Sequence, residues 1–277
     1  MLWRLGRASV RGMTSLHYVA FPSLHEEPLT LPARLRIPDG EARVPAVIVL
    51  HGSAGPSGRE GGYADVLNAA GMATIEPDQW SPRGLAGGAE GRPRTIHETL
   101  PDLYGARAFL AAHPRIDAGR IGVIGFSFGG VACMLAATKA QNAPFLGEDR
   151  FAALMPVYPV CHLYNRVRGF EFADLVDAPI LLVTGALDGY DNDAEAGPKL
   201  VASLAPADRA HMRAEVIAGA HHGFDIPGPE RQVADPGGNR GQGGLVTMAF
   251  DAAATERGHA LALGFFSAAL GAAGAPR

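Results

Sequence analysis

Three continuous apolar runs, each ending in small or polar residues, constrain the fold of this chain most. They read VPAVIVLHG at residues 44–52, RIGVIGF at 120–126 and APILLVTGALD at 178–188. A strand that is apolar along its whole length is typical of a parallel sheet, in which both faces are covered. The sequence therefore predicts an α/β fold with a mainly parallel central sheet and helices on both faces.

The segments between these runs complete the alternation of strand and helix. Further strands are predicted for MATIEPD at 72–78, RFAALMPVYP at 150–159 and RAEVIAG at 213–219. Helices are predicted for 62–71, 95–113, FGGVACMLAATKA at 128–140, 193–205 and 248–270. LHYVAFPS and LTLPARLRIP, near the N-terminus, alternate apolar and polar residues and predict an antiparallel hairpin.

Neither an internal repeat nor a dividing linker is evident, so residues 14–277 are predicted to form one domain. Residues 1–13 are basic and lack the apolar stretch of a signal peptide. We interpret them as a disordered N-terminal extension, with a weak transit peptide as the alternative. No run approaches the ~18 apolar residues of a membrane span.

Net charge and cysteine content limit the classes of binding partner and the cellular compartments to expect. A net charge of −4 gives no reason to expect binding to nucleic acid or to an anionic membrane. The two cysteines, Cys133 and Cys161, lie on different predicted elements without a CxxC motif, which favours reduced thiols and a cytoplasmic protein.

The run at 120–126 ends in a G-x-S-x-G pattern formed by Gly125, Ser127 and Gly129. A strand, a sharp turn and a small-residue helix form the context in which such a serine is a nucleophile. Small residues leave room for the tight turn, and the helix N-terminus places backbone N–H groups near a developing oxyanion. The alternative is a glycine-rich phosphate-binding turn, but neither GxGxxG nor a P-loop is present.

A nucleophilic serine needs a base and an acid that orients the base. Asp188 comes first after the strand at 178–185, although Asp191 and Asp193 compete with it. His221 and His222 follow the last predicted strand, and spacing alone does not choose between them.

The oxyanion needs two N–H donors. Phe128 supplies one candidate amide and Ser53, after His51 and Gly52, supplies the other. An ordinary glycine-rich loop is the alternative for residues 51–58.

Four motifs in this order, HGSAG, GFSFGG, GALD and AHHGF, resemble the dienelactone hydrolase family of α/β hydrolases. EPDQWSPRG, HPRIDAGRIGVIGFSFGG and VYPVC agree with it, and the resemblance covers roughly residues 30–270. It implies an α/β-hydrolase fold with Ser127 as nucleophile, Asp188 as acid and His222 as base, and with Ser53 and Phe128 as oxyanion amides.

Two positions depart from the family pattern. Dienelactone hydrolases proper have a cysteine where this chain has Ser127, and an acidic residue where it has Gly52. The departure indicates ordinary serine esterase chemistry. The leading prediction is a serine hydrolase that cleaves small carboxylic esters or lactones without a metal or cofactor. The alternatives are a peptidase, acyltransferase or perhydrolase with the same triad, or a binding protein without turnover.

Several other residues are candidates for substrate binding because they flank Ser127 or follow other predicted strands whose ends border the crevice. They are Gly52, Trp80, Arg83, Phe126, Cys161 and His162. For Arg83 the alternative is an ion pair with Asp78, and for Cys161 a buried structural role. Residues 225–247 are rich in Gly and Pro and are predicted to be either a mobile flap or a long surface loop.

Overall fold

The computed structural model describes residues 13–271. The predicted extension, residues 1–13, therefore lies outside the described residues except for Met13. The strands within this range are β1 (Thr14–Pro22), β2 (Thr30–Pro38), β3 (Val44–Leu50), β4 (Ala73–Pro77), β5 (Ile116–Phe126), β6 (Ala153–Val157), β7 (Ile180–Gly185), β8 (Met212–Ile217), β9 (Arg231–Ala234) and β10 (Leu245–Met248).

The helices in the described residues are α1 (Gly58–Ala69), α2 (Leu100–Ala112), α3 (Phe128–Leu135), α4 (Lys139–Leu146), α5 (Ala196–Ser203), α6 (Pro206–Arg209), α7 (Gly238–Gly241) and α8 (Ala252–Leu270). Short 3₁₀ turns lie at Ser81–Arg83, Ile96–Thr99 and Cys161–Leu163.

Eight strands form one sheet in the order β1-β2-β4-β3-β5-β6-β7-β8. β1 pairs antiparallel with β2, and β2 antiparallel with β4. Every other neighbouring pair from β4 to β8 is parallel. The predicted hairpin and the mainly parallel sheet are confirmed. Because parallel strands end at the same edge, the loops after β3, β5, β6, β7 and β8 converge there.

Two apolar layers cover the sheet. Side chains of α2 and α3 pack on one face, where Leu103 and Val131 lie in the core. Side chains of α1 and α8 pack on the other, where Leu67 and Phe266 are fully buried. Strands β3, β6 and β7 are thus buried along their whole length, which explains why their sequences are almost entirely apolar, whereas β8, at the edge of the sheet, is partly exposed.

Two segments differ from the sequence prediction. The helix predicted for 128–140 ends at Leu135, because Thr138 adopts an extended conformation and caps α4 by accepting a hydrogen bond from Gln141 N–H. Residues 225–247, predicted to be either a mobile flap or a long surface loop, contain regular structure, since β9 and β10 pair as an antiparallel hairpin. Among the described residues, no helix is both long and apolar enough to cross a bilayer.

Candidate active site

Ser127 occupies the turn between β5 and α3 in a strained conformation. Its φ is 52° and its ψ is −114°, a region that non-glycine residues rarely adopt and that costs roughly 1–3 kcal/mol. Two hydrogen bonds hold the turn: Ser127 N–H donates to Val157 O on β6 at 3.0 Å, and Ser127 O accepts from Val131 N–H at 2.8 Å. The backbone is thus fixed on both sides of the hydroxyl.

The glycines around Ser127 are required by close backbone contacts. A Cβ on Gly125 would overlap the carbonyl of Gly129. A Cβ on Gly129 would lie 2.5 Å from His51 O, and one on Gly130 would lie 2.8 Å from Val157 O. Both distances are shorter than van der Waals contact, so the G-x-S-x-G-G pattern follows from the packing of α3 against β3 and β6.

The structure brings Ser127, His222 and Asp188 into one hydrogen-bonded row. His222 Nε2 lies 2.8 Å from Ser127 Oγ, and His222 Nδ1 lies 2.8 Å from Asp188 Oδ2. The other oxygen of Asp188 accepts from Tyr190 N–H at 2.9 Å. Asp188 and His222 are buried, whereas Ser127 is partly exposed at the end of the row. His222 rather than His221 faces the serine.

The loops that carry the acid and the histidine are joined through their backbones. Leu187 N–H donates to Ala220 O at 2.9 Å, and a Cβ on Gly185 would overlap that same carbonyl. The close approach places Asp188 beside His222. The Tyr190 ring packs on the His222 imidazole with centroids 4.2 Å apart, which restricts rotation of the imidazole.

The loop after β3 presents the Ser53 amide next to the serine. A Cβ on Gly52 would lie 3.4 Å from Ser127 Cβ, so the loop passes directly beside Ser127. Within residues 13–271, neither Ser53 N–H nor Phe128 N–H donates a hydrogen bond to a protein acceptor. Both amides are therefore available to a ligand at Ser127.

The orientation of the Ser53 amide is fixed through the carbonyl of the same peptide plane. Gly52 O accepts from His51 Nδ1–H at 2.9 Å and from Gly55 N–H at 3.0 Å. In a trans peptide the N–H points opposite to the C=O, so these donors set the direction of Ser53 N–H. The next carbonyl, Ser53 O, accepts from Trp80 Nε1–H and Gly88 N–H, at 3.0 and 2.8 Å.

His51 is a buried neutral imidazole. Its Nδ1 donates to Gly52 O, so its Nε2 accepts from Gln79 N–H at 3.1 Å. Burial lowers the pKa of His51, which keeps this tautomer uncharged. The sequence predicts that His51 belongs to the oxyanion loop. In the structure its ring connects this loop to the backbone of Gln79 through two hydrogen bonds.

A buried polar network near Ser127 was missed by sequence reasoning. Arg59 bonds to the carboxylate of Glu60 and donates to Tyr158 Oη at 3.1 Å. Tyr158 and Tyr63 each donate to one oxygen of Asp225, at 2.5 and 2.9 Å. Burial raises the pKa of Asp225. The guanidinium of Arg59 also lies over a ring, 4.4 Å from the centroid of Phe126.

Ser127 lines two cavities. The larger, about 290 Å³, has a mostly apolar lining that also includes Arg92, Arg94, His97 and Arg168. Its apolar lining consists of Ile96, Phe128, Val131, Val160, Leu163 and Phe170. The smaller, about 70 Å³, lies against the loop at 52–57, His222 and the hairpin residue Met248.

Among the predicted substrate-binding residues, Gly52 lines the smaller cavity. Trp80 is buried and supports the oxyanion loop through Ser53 O, as described above. Phe126 is buried against Tyr63, with ring centroids 4.7 Å apart, and lines neither cavity. These two side chains act on the site through its backbone rather than through direct contact with the cavities.

Arg83 points away from both cavities. Its guanidinium forms a two-pronged pair with Asp102 at 2.8 and 3.1 Å, and it also donates to the carbonyls of Gln79 and Glu98. The alternative of an ion pair with Asp78 is wrong, because Asp78 instead accepts from the backbone of Trp80 and Ser81. Arg83 thus fastens the 3₁₀ turn at Ser81–Arg83 to α2.

Cys161 and His162 line a separate cavity of about 260 Å³ that does not include Ser127. His162 Nδ1 lies 3.2 Å from Asp191 Oδ1, and the carboxylate of Asp191 also accepts from the backbone N–H groups of both residues. Burial raises the pKa of the Cys161 thiol, which disfavours a thiolate nucleophile there.

Asp235 ties the hairpin of β9 and β10 to the site. It accepts two hydrogen bonds from Arg92, at 2.8 and 2.9 Å, and one from Tyr190 Oη at 2.9 Å. Because Tyr190 also packs on His222, the hairpin is connected to the hydrogen-bonded row of Ser127, His222 and Asp188. In the part of the chain that the structure describes, no three His, Cys, Asp or Glu side chains gather as a metal site.

Comparison with known proteins places this site in a family. The model of the dienelactone hydrolase family matches residues 31–270. No curated protein sequence matches the chain.

Three solved structures show the same fold at low identity. One is a dienelactone hydrolase-like promiscuous phosphotriesterase, P91, from metagenomic libraries, with 20% identity, a TM-score of 0.66 and coverage of 94% of this chain and 100% of that one. Another is a dienelactone hydrolase from Anabaena variabilis, with 21% identity, a TM-score of 0.59 and coverage of 93% of this chain and 99% of that one. The third is an esterase from Pyrobaculum calidifontis, with 17% identity, a TM-score of 0.59 and coverage of 90% of this chain and 85% of that one.

Their descriptions name a dienelactone hydrolase-like phosphotriesterase, a dienelactone hydrolase and an esterase, and together with the family match they support a hydrolase. The family match spans the strand ends that carry Ser127, Asp188 and His222, and the order of those residues is the one that the α/β-hydrolase fold uses. The chain belongs to the dienelactone hydrolase family.

Proposed function

We propose that this protein is a serine hydrolase that cleaves small carboxylic esters or lactones through an acyl-enzyme on Ser127. One observation carries the proposal. Ser127 Oγ, His222 Nε2, His222 Nδ1 and Asp188 Oδ2 follow one another at 2.8 Å and 2.8 Å, at the mouth of two cavities. A serine hydrogen-bonded to a buried His–Asp pair is the arrangement that activates a hydroxyl nucleophile.

In the acylation step, Ser127 Oγ attacks the substrate carbonyl carbon while His222 Nε2 takes the hydroxyl proton. The charge that develops on the carbonyl oxygen is stabilised by the amides of Ser53 and Phe128. When the bond to the alcohol oxygen breaks, His222 gives its proton to that oxygen, and the alcohol leaves. Asp188 holds Nδ1 protonated and stabilises the imidazolium that forms in between.

In the deacylation step, water takes the place of the alcohol. His222 Nε2 removes a proton from water, which attacks the acyl carbon. The bond to Ser127 Oγ then breaks, and the proton returns from His222 to the serine. The products are the acid and the free enzyme, and the balance needs neither an oxidant nor a metal.

Substrate-binding roles are proposed for the side chains that line the two cavities. Gly52 is proposed to matter as backbone, because a side chain at this position would contact Ser127 Cβ. We propose no substrate contact for Arg83, Cys161 or His162, whose polar groups are engaged elsewhere. The two described cysteines are free and buried, which supports the proposal of a cytoplasmic protein.

The test is hydrolysis of simple esters and lactones by the purified protein, followed by acid release in a pH-stat. Methyl butyrate and γ-butyrolactone are suitable first substrates. We expect turnover by the wild type and a loss of at least about 10³-fold in kcat for Ser127→Ala and His222→Ala. Full activity in either variant would contradict the proposal.

A further inference from the structure

The two cavities at Ser127 differ in size, in lining and in their relation to His222. The larger has a volume of about 290 Å³ and the smaller about 70 Å³. The smaller cavity thus offers about a quarter of the space of the larger one. An ester bound across Ser127 must therefore place its larger part in one cavity and its smaller part in the other.

The position of His222 indicates which cavity holds the alcohol of the ester and which holds the acyl chain. The imidazole lines the smaller cavity and is absent from the lining of the larger one. In the proposed mechanism, the leaving alcohol oxygen receives its proton from His222, so that oxygen must lie on the imidazole side. The alcohol thus belongs in the smaller cavity and the acyl chain in the larger.

The lining of the larger cavity fits an acyl chain. Val131, Val160, Leu163 and Phe170 supply apolar surface that a hydrocarbon chain or an aromatic ring can cover. The cavity begins at Phe128, whose amide is one of the proposed oxyanion donors.

Two apolar side chains from the segment after β8, Ile226 and Met248, line the smaller cavity. A Cβ on Gly223 would lie 3.1 Å from Ile226 Cδ1 and 3.2 Å from Met248 Cε, so both side chains crowd the position next to His222. The guanidinium of Arg59 also lines this cavity, but its donors are engaged by Glu60 and Tyr158. Beside a cavity of about 70 Å³, Met248 leaves little space for a large alcohol.

The geometry points to methyl and ethyl esters of larger apolar acids as the substrate class, with Met248 as the residue that limits the size of the alcohol. This inference rests on the proposed ester hydrolysis at Ser127. It excludes the reverse arrangement, in which a short acyl group such as acetyl is removed from a large alcohol.

Two isomeric esters separate the two arrangements. Methyl octanoate and heptyl acetate have the same composition, but methyl octanoate has the large acyl chain and heptyl acetate the large alcohol. We expect kcat/KM for methyl octanoate to exceed that for heptyl acetate by at least about tenfold, the scale set by a few methylenes in a closed apolar pocket. Equal values, or a preference for heptyl acetate, would overturn the assignment.

A variant then tests Met248 directly. Met248→Ala should raise kcat/KM for butyl octanoate relative to methyl octanoate by at least about tenfold. Leu245→Ala is the matched control, because Leu245 lies on the same strand, is 60% exposed and lines neither cavity. An unchanged ratio in Met248→Ala, or the same change in Leu245→Ala, would contradict the role of Met248.

Failure of the inference is distinct from failure of the proposed function. If neither octanoate nor acetate esters are hydrolysed and Ser127 does not react with a fluorophosphonate, the proposed function fails and the inference fails with it. If Ser127 reacts and esters are hydrolysed without the expected preference, the function stands and only the assignment of the cavities is wrong.

Discussion

Replacing His51 by leucine tests whether the orientation of one peptide controls the rate. The substitution places an apolar side chain of similar size at this buried position and removes both hydrogen bonds of the imidazole. Gly52 O then keeps one of its two donors, Gly55 N–H. The amide of Ser53, on the same peptide plane, becomes free to turn away from the oxyanion.

The magnitude follows from what is lost. Complete loss of one oxyanion donor costs about 10²–10³ in kcat, whereas one hydrogen bond of about 1 kcal/mol corresponds to about fivefold. Because one of the two donors remains, we expect kcat to fall about 5- to 100-fold. KM should change little, since the oxyanion exists only in the transition state. Gln79 N–H loses its acceptor and stays buried, which should lower the free energy of unfolding by about 1–3 kcal/mol.

Two further variants sharpen the experiment. His51→Gln offers an amide N–H to Gly52 O and a carbonyl to Gln79 N–H, so it should recover most of the lost kcat. Trp80→Phe removes a donor from Ser53 O, which belongs to the following peptide, and should cost less in kcat than His51→Leu. Steady-state kinetics with methyl octanoate measure all three. A folded His51→Leu protein with kcat within about twofold of the wild type would refute the reasoning, as would a His51→Gln variant with no recovery.

The remaining predictions concern stability and the orientation of the catalytic histidine. Gly129→Ala should lower the free energy of unfolding by about 3 kcal/mol or more in a thermal or denaturant melt, whereas Gly58→Ala, with open space around its Cβ, should be nearly neutral; equal effects would show that the close contact is not limiting. Asp188→Asn should lower kcat by about 10³–10⁴-fold while the fold is kept, and near-normal kcat would remove Asp188 from the mechanism. Asp235→Asn should lower the free energy of unfolding by about 1–3 kcal/mol and speed proteolysis within residues 231–248, because the arginine that Asp235 holds loses its partner; an unchanged cleavage rate would contradict this attachment. Burial lowers the pKa of His51, so below the ordinary value of about 6.5 the unfolded chain takes up a proton there that the folded chain does not. The free energy of unfolding should therefore fall as the pH decreases from about 7 to 5, and it should fall less in His51→Gln; parallel curves would contradict a buried neutral His51.

The sequence predicts the fold well because continuous apolar runs mark most of the buried parallel strands. A parallel strand covered on both faces must be largely apolar, and this pattern locates β3, β7 and the buried C-terminal part of β5. The sequence also predicts the sharp turn at Ser127, because the neighbouring glycines are required by backbone contacts that a residue with a side chain would not allow.

Long-range side-chain contacts are not visible in the sequence. The pairing of Arg83 with Asp102 joins residues 19 positions apart, and nothing in the local sequence distinguishes Asp102 from Asp78 as the partner. Arg59 and Asp225 likewise lie far apart in the chain and meet only through Tyr158. Such contacts depend on how loops from several strands converge, which a periodic pattern does not encode.

The hairpin of β9 and β10 illustrates a third limit. Its strands are only four residues long, and their pattern is weak beside the surrounding Gly and Pro residues. The segment is ordered by contacts outside itself, chiefly between Asp235, Arg92 and Tyr190. Composition alone therefore suggests a loose loop where tertiary contacts produce a hairpin.

The most direct test of the central claim is covalent labelling of the nucleophile. The purified protein is treated with an alkyl fluorophosphonate, and the adduct is located by peptide mass spectrometry. We expect one adduct, on Ser127, with labelling abolished in Ser127→Ala and strongly slowed in His222→Ala, because the hydroxyl is reactive only when the imidazole takes its proton. An adduct on another residue, or none under conditions in which the wild-type protein is folded, would contradict the account.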